Sequence, residues 1–252
     1  MTAPAPAIAA VVLTHNEAAR IAACLETLRW ADRMVVLDSE SQDGTAEAAR
    51  AAGAEVIGRA FSDFAEQRNH ALAEVEAQWI LFVDADEQIT AELAAEIRQC
   101  AGREEFVAYA FPRRNRILGG WLRATGWYPD RQTRLLRRGS CRYAGDRPVH
   151  EVVEADGPVG MLENEMRHAG PDSVAEFRNR QRRYAALAAE GLRRRGVRAG
   201  IHSPVTQAIR EFWRRMADLR GYRDGWRGLV LSALMAEHEF RVYRRLRSGR
   251  RH

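Results

Sequence analysis

A chain of 252 residues with 46% apolar content can build one large domain, or one domain with a substantial appendage. Its three scattered cysteines, Cys24, Cys100 and Cys141, match neither a disulfide framework nor a metal-ligand spacing and favour a reducing compartment. All 39 basic residues are arginine: residues 1–100 carry 7 Arg against 17 Asp+Glu (a balance of −10), and residues 101–252 carry 32 against 17 (a balance of +15). A GC-rich genome accounts for much of the missing lysine but less well for the segregation, so the second half is expected to meet an anionic partner: phosphate, nucleic acid or an acidic membrane surface.

The opening MTAPAPAIAA lacks a basic n-region and a long apolar core, so it reads as a disordered lead-in rather than a signal peptide. Ile8 to Thr14 is a short apolar strand, and Glu17 to Trp30 carries Ile21, Leu25 and Leu28 at helical spacing. Met34 to Asp38 is a second strand. Asp43-Gly44-Thr45 is a turn with Asp43 as a capping residue, leading into an Ala-rich helix that Gly53 stops. Ala54 to Ile57 is a third strand and Phe64 to Val75 a helix. Trp79 to Asp84 has the unbroken apolar run of a strand buried on both faces, and Thr90 caps a helix ending near Gly102. The order βαβαβαβα implies a parallel sheet with right-handed crossovers.

Past residue 102 the rhythm changes. Phe106 to Phe111, Arg131 to Arg137 and Val149 to Glu154 read as strands among Gly-, Pro- and Trp-rich loops. Ser173 to Arg195, Pro204 to Arg220 and Trp226 to Arg247 read as helices. The expected organisation is an α/β catalytic domain over residues 1–170 and an Arg-rich helical tail over residues 171–252. The longest apolar stretch in the tail, Leu229 to Met235, falls far short of the roughly 20 residues that span a bilayer. Trp213, Trp226, Phe240 and Tyr243, interleaved with arginines, fit a helix lying in a membrane interface; a docked helix with a solvated basic face is the alternative.

The chemistry concentrates at strand ends. Asp84-Ala85-Asp86 closes Trp79-Ile80-Leu81-Phe82-Val83, which places two carboxylates at the carboxyl edge of a sheet, where open α/β folds bind ligands. Oxygen donors there suit a hard divalent cation that also touches phosphate. Asp38 ends the second strand, placed to accept a hydrogen bond from a base imide or a ribose hydroxyl. Thr14-His15-Asn16-Glu17 follows the first strand and can line the same cleft, although His15 is equally a packing or surface histidine.

The stretches VVLTHNEAARIAACL, WADRMVVLDSESQDGT, FAEQRNHAL and WILFVDADE closely resemble family 2 glycosyltransferases of the GT-A fold. The resemblance continues through GWYPDRQTRLLRR, RPVHE and DGWRGLVLSAL, covers most of the chain, and is nearest the lipopolysaccharide-core β-1,4-glucosyltransferases. It implies an α/β fold with a mostly parallel, Rossmann-like sheet and helices on both faces. It also implies nucleoside contacts from Thr14, Glu17 and Asp38, with Asn16 in the same loop, and Arg68 near the base or diphosphate. Asp84 is expected near the ribose or metal, and Asp86 as a ligand of Mg²⁺ or Mn²⁺. The usual motif DSGSTDGT is altered, with Glu40 and Gln42 standing for Gly and Thr.

Inverting transfer needs one carboxylate to take the acceptor's proton and no enzyme nucleophile. Asp130, in the loop after the sheet, is the first choice and Glu151 the second. His150 complements Asp86 as a metal ligand. Trp121, Trp127 and Tyr128 are candidates to stack on acceptor sugar rings. Arg113, Arg114, Arg131 and Arg134 are candidates for an anionic acceptor, each of them singly an ordinary solvated arginine. Asp43 is expected to act as a helix cap, and Asn69 sits on a helix face.

The expected activity is metal-dependent hexose transfer from a nucleotide sugar, UDP-glucose foremost, to a lipid-linked or lipopolysaccharide-core glycan. The expected setting is the cytoplasm, peripheral at the inner membrane. A nucleotidyltransferase would need a Gly-rich triphosphate loop with Arg and Lys, which this chain does not offer. An arginine-rich nucleic-acid module would need a reader motif, and nothing in the basic half supplies one.

Overall fold

The computed structural model describes residues 8–144 and 152–248. The chain divides into two compact units, Met1–Arg113 with Arg131–His168, and Arg114–Asp130 with Ala169–His252.

The first unit opens as β1 (Ile8–Thr14), α1 (Ala18–Glu26), β2 (Arg33–Asp38), α2 (Thr45–Ala51), β3 (Glu55–Gly58), α3 (Phe64–Glu74) and β4 (Trp79–Asp84). There follow β5 (Glu87–Ile89), α4 (Ala91–Ala101), β6 (Ala108–Ile117), β7 (Gly120–Trp121), β8 (Asp130–Arg137), β9 (Cys141–Tyr143), β10 (Val153–Ala155), β11 (Val159–Met161) and β12 (Met166–Ala169). The main sheet runs β3-β2-β1-β4-β8-β6-β12-β5. Its first four strands are parallel, as the alternation of strand and helix requires. From β8 on the sheet becomes mixed, in keeping with a mostly parallel sheet: β8 is antiparallel to β4, and β12 antiparallel to β5. Among the described residues no helix separates β6 to β12 in sequence, and short loops favour antiparallel returns over crossovers.

Alternation along the central strands feeds two cores. Ile8, Ala10, Val12, Trp79, Leu81 and Val83 face α1 and α4, while Ala9, Val11, Val35, Leu37, Ile80 and Phe82 face α3. Expected boundaries hold to within a few residues in most elements. Thr90 and Ser173 cap their helices by accepting from the Leu93 and Glu176 amides. α1 stops at Glu26, short of Trp30, where the Thr27 hydroxyl donates back to the Cys24 carbonyl at 2.8 Å.

The second unit carries α5 (Val174–Arg194), α6 (Ser203–Trp213) and α7 (Gly225–Ser248). The single helix expected from Pro204 to Arg220 instead passes into a π-helical turn, Arg214–Asp218, and ends at Arg220, whose φ is 52°. Phe177, Leu231 and Leu234 pack with Ile117, Leu118 and Leu122 in one cluster; Ala185, Ala189 and Val242 form another, with Tyr243 against it. Among the described residues no helix is long and apolar enough to cross a membrane.

Candidate active site

In the parallel ladder Thr14 lies opposite Asp38, and Leu13 opposite Asp84. The two aspartates therefore end the strands on either side of β1, about 10 Å apart at two strand spacings. The Asp38 carboxylate is aimed by three donors: Thr14 Oγ1 at 2.8 Å and Ser41 Oγ at 2.6 Å on Oδ1, and the Ser41 amide at 3.0 Å on Oδ2. A carboxylate accepts about four hydrogen bonds, so Oδ2 retains capacity for one more donor.

The loops after β1 and β2 are fastened together. Asn16, with φ of 56°, donates its amide to Ser41 Oγ and accepts from the Gln42 amide. His15 Nδ1 lies 2.7 Å from the Ser39 carbonyl and Nε2 3.1 Å from Asn16 Nδ2, two contacts that agree on a ring protonated at Nδ1. Asp43 stands one residue before the N-cap of α2, which is Gly44; its carboxylate accepts from the Thr45 amide and hydroxyl and takes the Ala18 amide at the start of α1. The Glu17 amide donates to Thr45 Oγ1, and its side chain pairs with Arg20 at 3.3 Å. Glu40 has φ of 58°, a left-handed backbone that explains why the usual motif has glycine there.

Asp84 and Asp86 have different surroundings. Asp84 Oδ1 accepts from Arg68 at 3.0 Å and Oδ2 from Arg134 at 2.7 Å. Burial opposes its charge, but Arg134 and then Arg68 outweigh burial and hold the carboxyl well below the usual carboxylate range. The Arg68 guanidinium lies 5.3 Å from the Tyr143 ring centre, and Asn69 clamps the Tyr143 backbone through two hydrogen bonds. Beneath them Glu87, fully buried, accepts from the Asp84 amide at 2.9 Å and from Arg113 at 3.0 Å. Burial, then repulsion from Asp84, pushes its carboxyl up. Arg113 and Arg134, candidates for the acceptor on sequence grounds, are thus engaged with Glu87 and Asp84.

Asp86 instead meets His168, with Nε2 3.3 Å from Oδ2. Antiparallel pairing sets His168 opposite Glu87 and so beside Asp86. Two ligands about 2.1 Å from one ion at right angles stand about 3 Å apart, so this carboxylate–imidazole pair fits adjacent positions around a divalent ion. Among the described residues no group of three such donors converges. His150 and Glu151 lie outside the described residues. His168 had one local signal, the alternation of buried and exposed residues along Met166–Ala169 that turns it inward.

In the second unit Asn115, fully buried, donates to the Trp127 carbonyl at 2.8 Å and to Asp130 Oδ2 at 3.3 Å. Trp127 packs edge-on against Phe177, and the Tyr128–Pro129 bond is cis. The C-terminal half of the unit holds this loop. Asp224 accepts from the Arg123 amide at 2.7 Å, the Ala124 amide at 3.2 Å and Thr125 Oγ1 at 2.5 Å. Arg215 donates to the Thr125 carbonyl at 2.6 Å. Thr125 is β-branched with φ of 58°, a strained conformation that these bonds over-determine. In the first unit Arg131 is exposed, its Nη1 3.9 Å from Met161 Sδ.

The chain is 27% identical to the lipopolysaccharide core biosynthesis glycosyltransferase LpsC of Rhizobium meliloti, over 94% of this chain and 92% of that protein. It is 25% identical to an uncharacterized glycosyltransferase of Rickettsia felis, over 96% and 90% of the two chains. Among solved structures, mannosyl-3-phosphoglycerate synthase from Rubrobacter xylanophilus superposes with a TM-score of 0.50 at 16% identity, covering 76% of this chain and 75% of that one, a likeness of GT-A fold. The family model for glycosyl transferase family 2 matches residues 9–147, more than half of the chain, and the protein belongs to that family.

Proposed function

We propose that this glycosyltransferase moves a hexose, with inversion, from a uridine diphosphate sugar to a lipopolysaccharide-core or other lipid-linked glycan, using Mn²⁺ or Mg²⁺. The observation that carries the reading is the pairing of an aimed Asp38 with the Asp84–Asp86 turn at the carboxyl ends of β2 and β4. The free acceptor site on Asp38 Oδ2 suits the imide N–H of uracil or a ribose hydroxyl. Asp86 and His168, with His150 as a further candidate, would hold the ion, which would neutralise the diphosphate leaving group. Asp84 and Arg68 set the turn that presents Asp86. Asp130, oriented by Asn115, takes the proton of the acceptor hydroxyl; that oxygen bonds to the anomeric carbon as the bond to the diphosphate breaks. The length-wide similarity to LpsC supports the acceptor class.

The test is donor binding followed by melting. UDP-glucose with Mn²⁺ at a hundredfold excess over Kd stabilises by about 2.7 kcal/mol, on the order of 5 °C for a chain of this size. Asp86→Ala should erase the metal-dependent part. Asp130→Asn should keep it while lowering transfer to deacylated lipopolysaccharide core by about 10²–10⁴-fold. No response to any UDP-, GDP- or TDP-sugar would sink the reading.

A further inference from the structure

The second unit exposes a continuous apolar stripe. Ile201, Val205, Ile209 and Trp213 recur every four residues along and just before α6, and are 70, 53, 55 and 62% exposed. At that spacing the three helical members share one face. Tyr222, Trp226 and Leu229, in the turn and first residues of α7, are also more than half exposed. The opposite side of α6 is occupied: Pro204 is buried, and Glu211 holds the buried Arg215 at 2.6 Å. Phe240 and Tyr243 do not join the stripe; both are partly buried, and Tyr243 packs against the cluster of Ala185, Ala189 and Val242.

Charge accompanies the stripe. Arg198 precedes Ile201, Arg210 follows Ile209, and Arg220 and Arg223 flank Tyr222. All four are exposed, and none makes a side-chain hydrogen bond or ion pair among the described residues. Exposed arginines beside aliphatic and indole side chains match the two layers of an anionic bilayer surface, headgroup phosphates above and acyl chains below. A second copy of the chain fits less well, because a two-fold contact would lay this basic face against the same basic face. Nucleic acid would engage the arginines and leave Ile201, Val205 and Ile209 in water.

We infer that the α6 stripe of Ile201, Val205, Ile209 and Trp213, with Trp226 and the four arginines, is a docking face for an anionic lipid bilayer. The inference stands on the second unit alone and goes beyond the transfer reaction. α6 lies in the interface plane, its apolar face among the upper acyl carbons and its arginines at the phosphates.

Co-sedimentation with large vesicles tests it, using phosphatidylglycerol–phosphatidylcholine mixtures against pure phosphatidylcholine. The intact protein is expected to bind the anionic vesicles at least about tenfold more tightly than the neutral ones, with about fivefold per arginine lost in the variant Arg210→Gln/Arg220→Gln/Arg223→Gln. Ile209→Ser/Trp213→Ser is expected to weaken anionic binding by more than about tenfold. Equal binding to both vesicles, no binding, or full binding by the serine variant would overturn it. So would a dimer in light scattering that the serine variant dissociates. The UDP-glucose melting shift, read on the same samples, reports folding and separates this outcome from the fate of the donor-site reading.

Discussion

Asp84 and Asp86 are separated by one alanine and have opposite environments. Asp84 is bound on both oxygens by Arg68 and Arg134, whose side chains are buried, while its own side chain is 34% exposed. Removing one partner from a buried pair typically costs 3–5 kcal/mol, and partial solvation here reduces that figure. Asp84→Asn should therefore destabilise the first unit by about 2 kcal/mol, read from the denaturation midpoint in urea. Asp86→Asn, at a side chain that meets His168 and is 21% exposed, should change stability by less than about 1 kcal/mol. A reversed ranking would assign the two residues the wrong way round. The triplet itself was legible because a strand buried on both faces is written as an unbroken apolar run. The division of labour within it was not, because Arg134 and His168 reach it from strands 50 and 82 residues downstream, and the inward turn of His168 does not say what it meets. Glu87 was equally hidden, since an acid in sequence reads as surface and Arg113, Arg134 and the Asp84 amide make its burial tolerable.

Helices and strands with one packed face were readable from periodicity and caps, as α3, α4 and α5 show. The segment 114–130 was not, because its structure comes from residues about a hundred positions away. Asp224 supplies three hydrogen bonds to Arg123, Ala124 and Thr125, and the Thr125 amide donates to the Leu219 carbonyl at 2.9 Å. Asp224→Ala is expected to cost about 2–3 kcal/mol, as charged acceptors contribute more than neutral ones. It should also speed hydrogen exchange at the amides of residues 123–125 above all. Uniformly faster exchange across α5 and α7 would show that Asp224 supports the whole unit and not the loop.

At the scale of the molecule, one buried histidine of the second unit ties stability to pH. His238 in α7 is buried, its Nδ1 3.2 Å from the Gln181 carbonyl of α5, with Arg215 and Glu211 as the charged groups near it. Burial lowers its pKa below the ordinary 6.5, helped by Arg215 and opposed by the Gln181 contact and Glu211. The unfolded chain then takes up the proton first. This contribution is complete above pH 6.5 and is lost as pH falls below it toward the folded value. His238→Gln should flatten the stability profile between about pH 6.5 and 5. An unchanged slope would show that this ring does not set the acid response. Charge segregation along the chain was visible in composition, and so was the mixture of Trp and Arg in the tail. Which aromatics face outward needed the packing of α5 against α7.

The clamp on Thr125 has a consequence for the order in which the protein is made. Asp224 is 101 residues downstream of Arg123. While the chain grows, every residue of the first unit is available once His168 has left the ribosome, but the 123–125 loop waits for Asp224. A chain released before Asp224 is added would carry every residue of the first unit but leave the 123–125 loop unclamped.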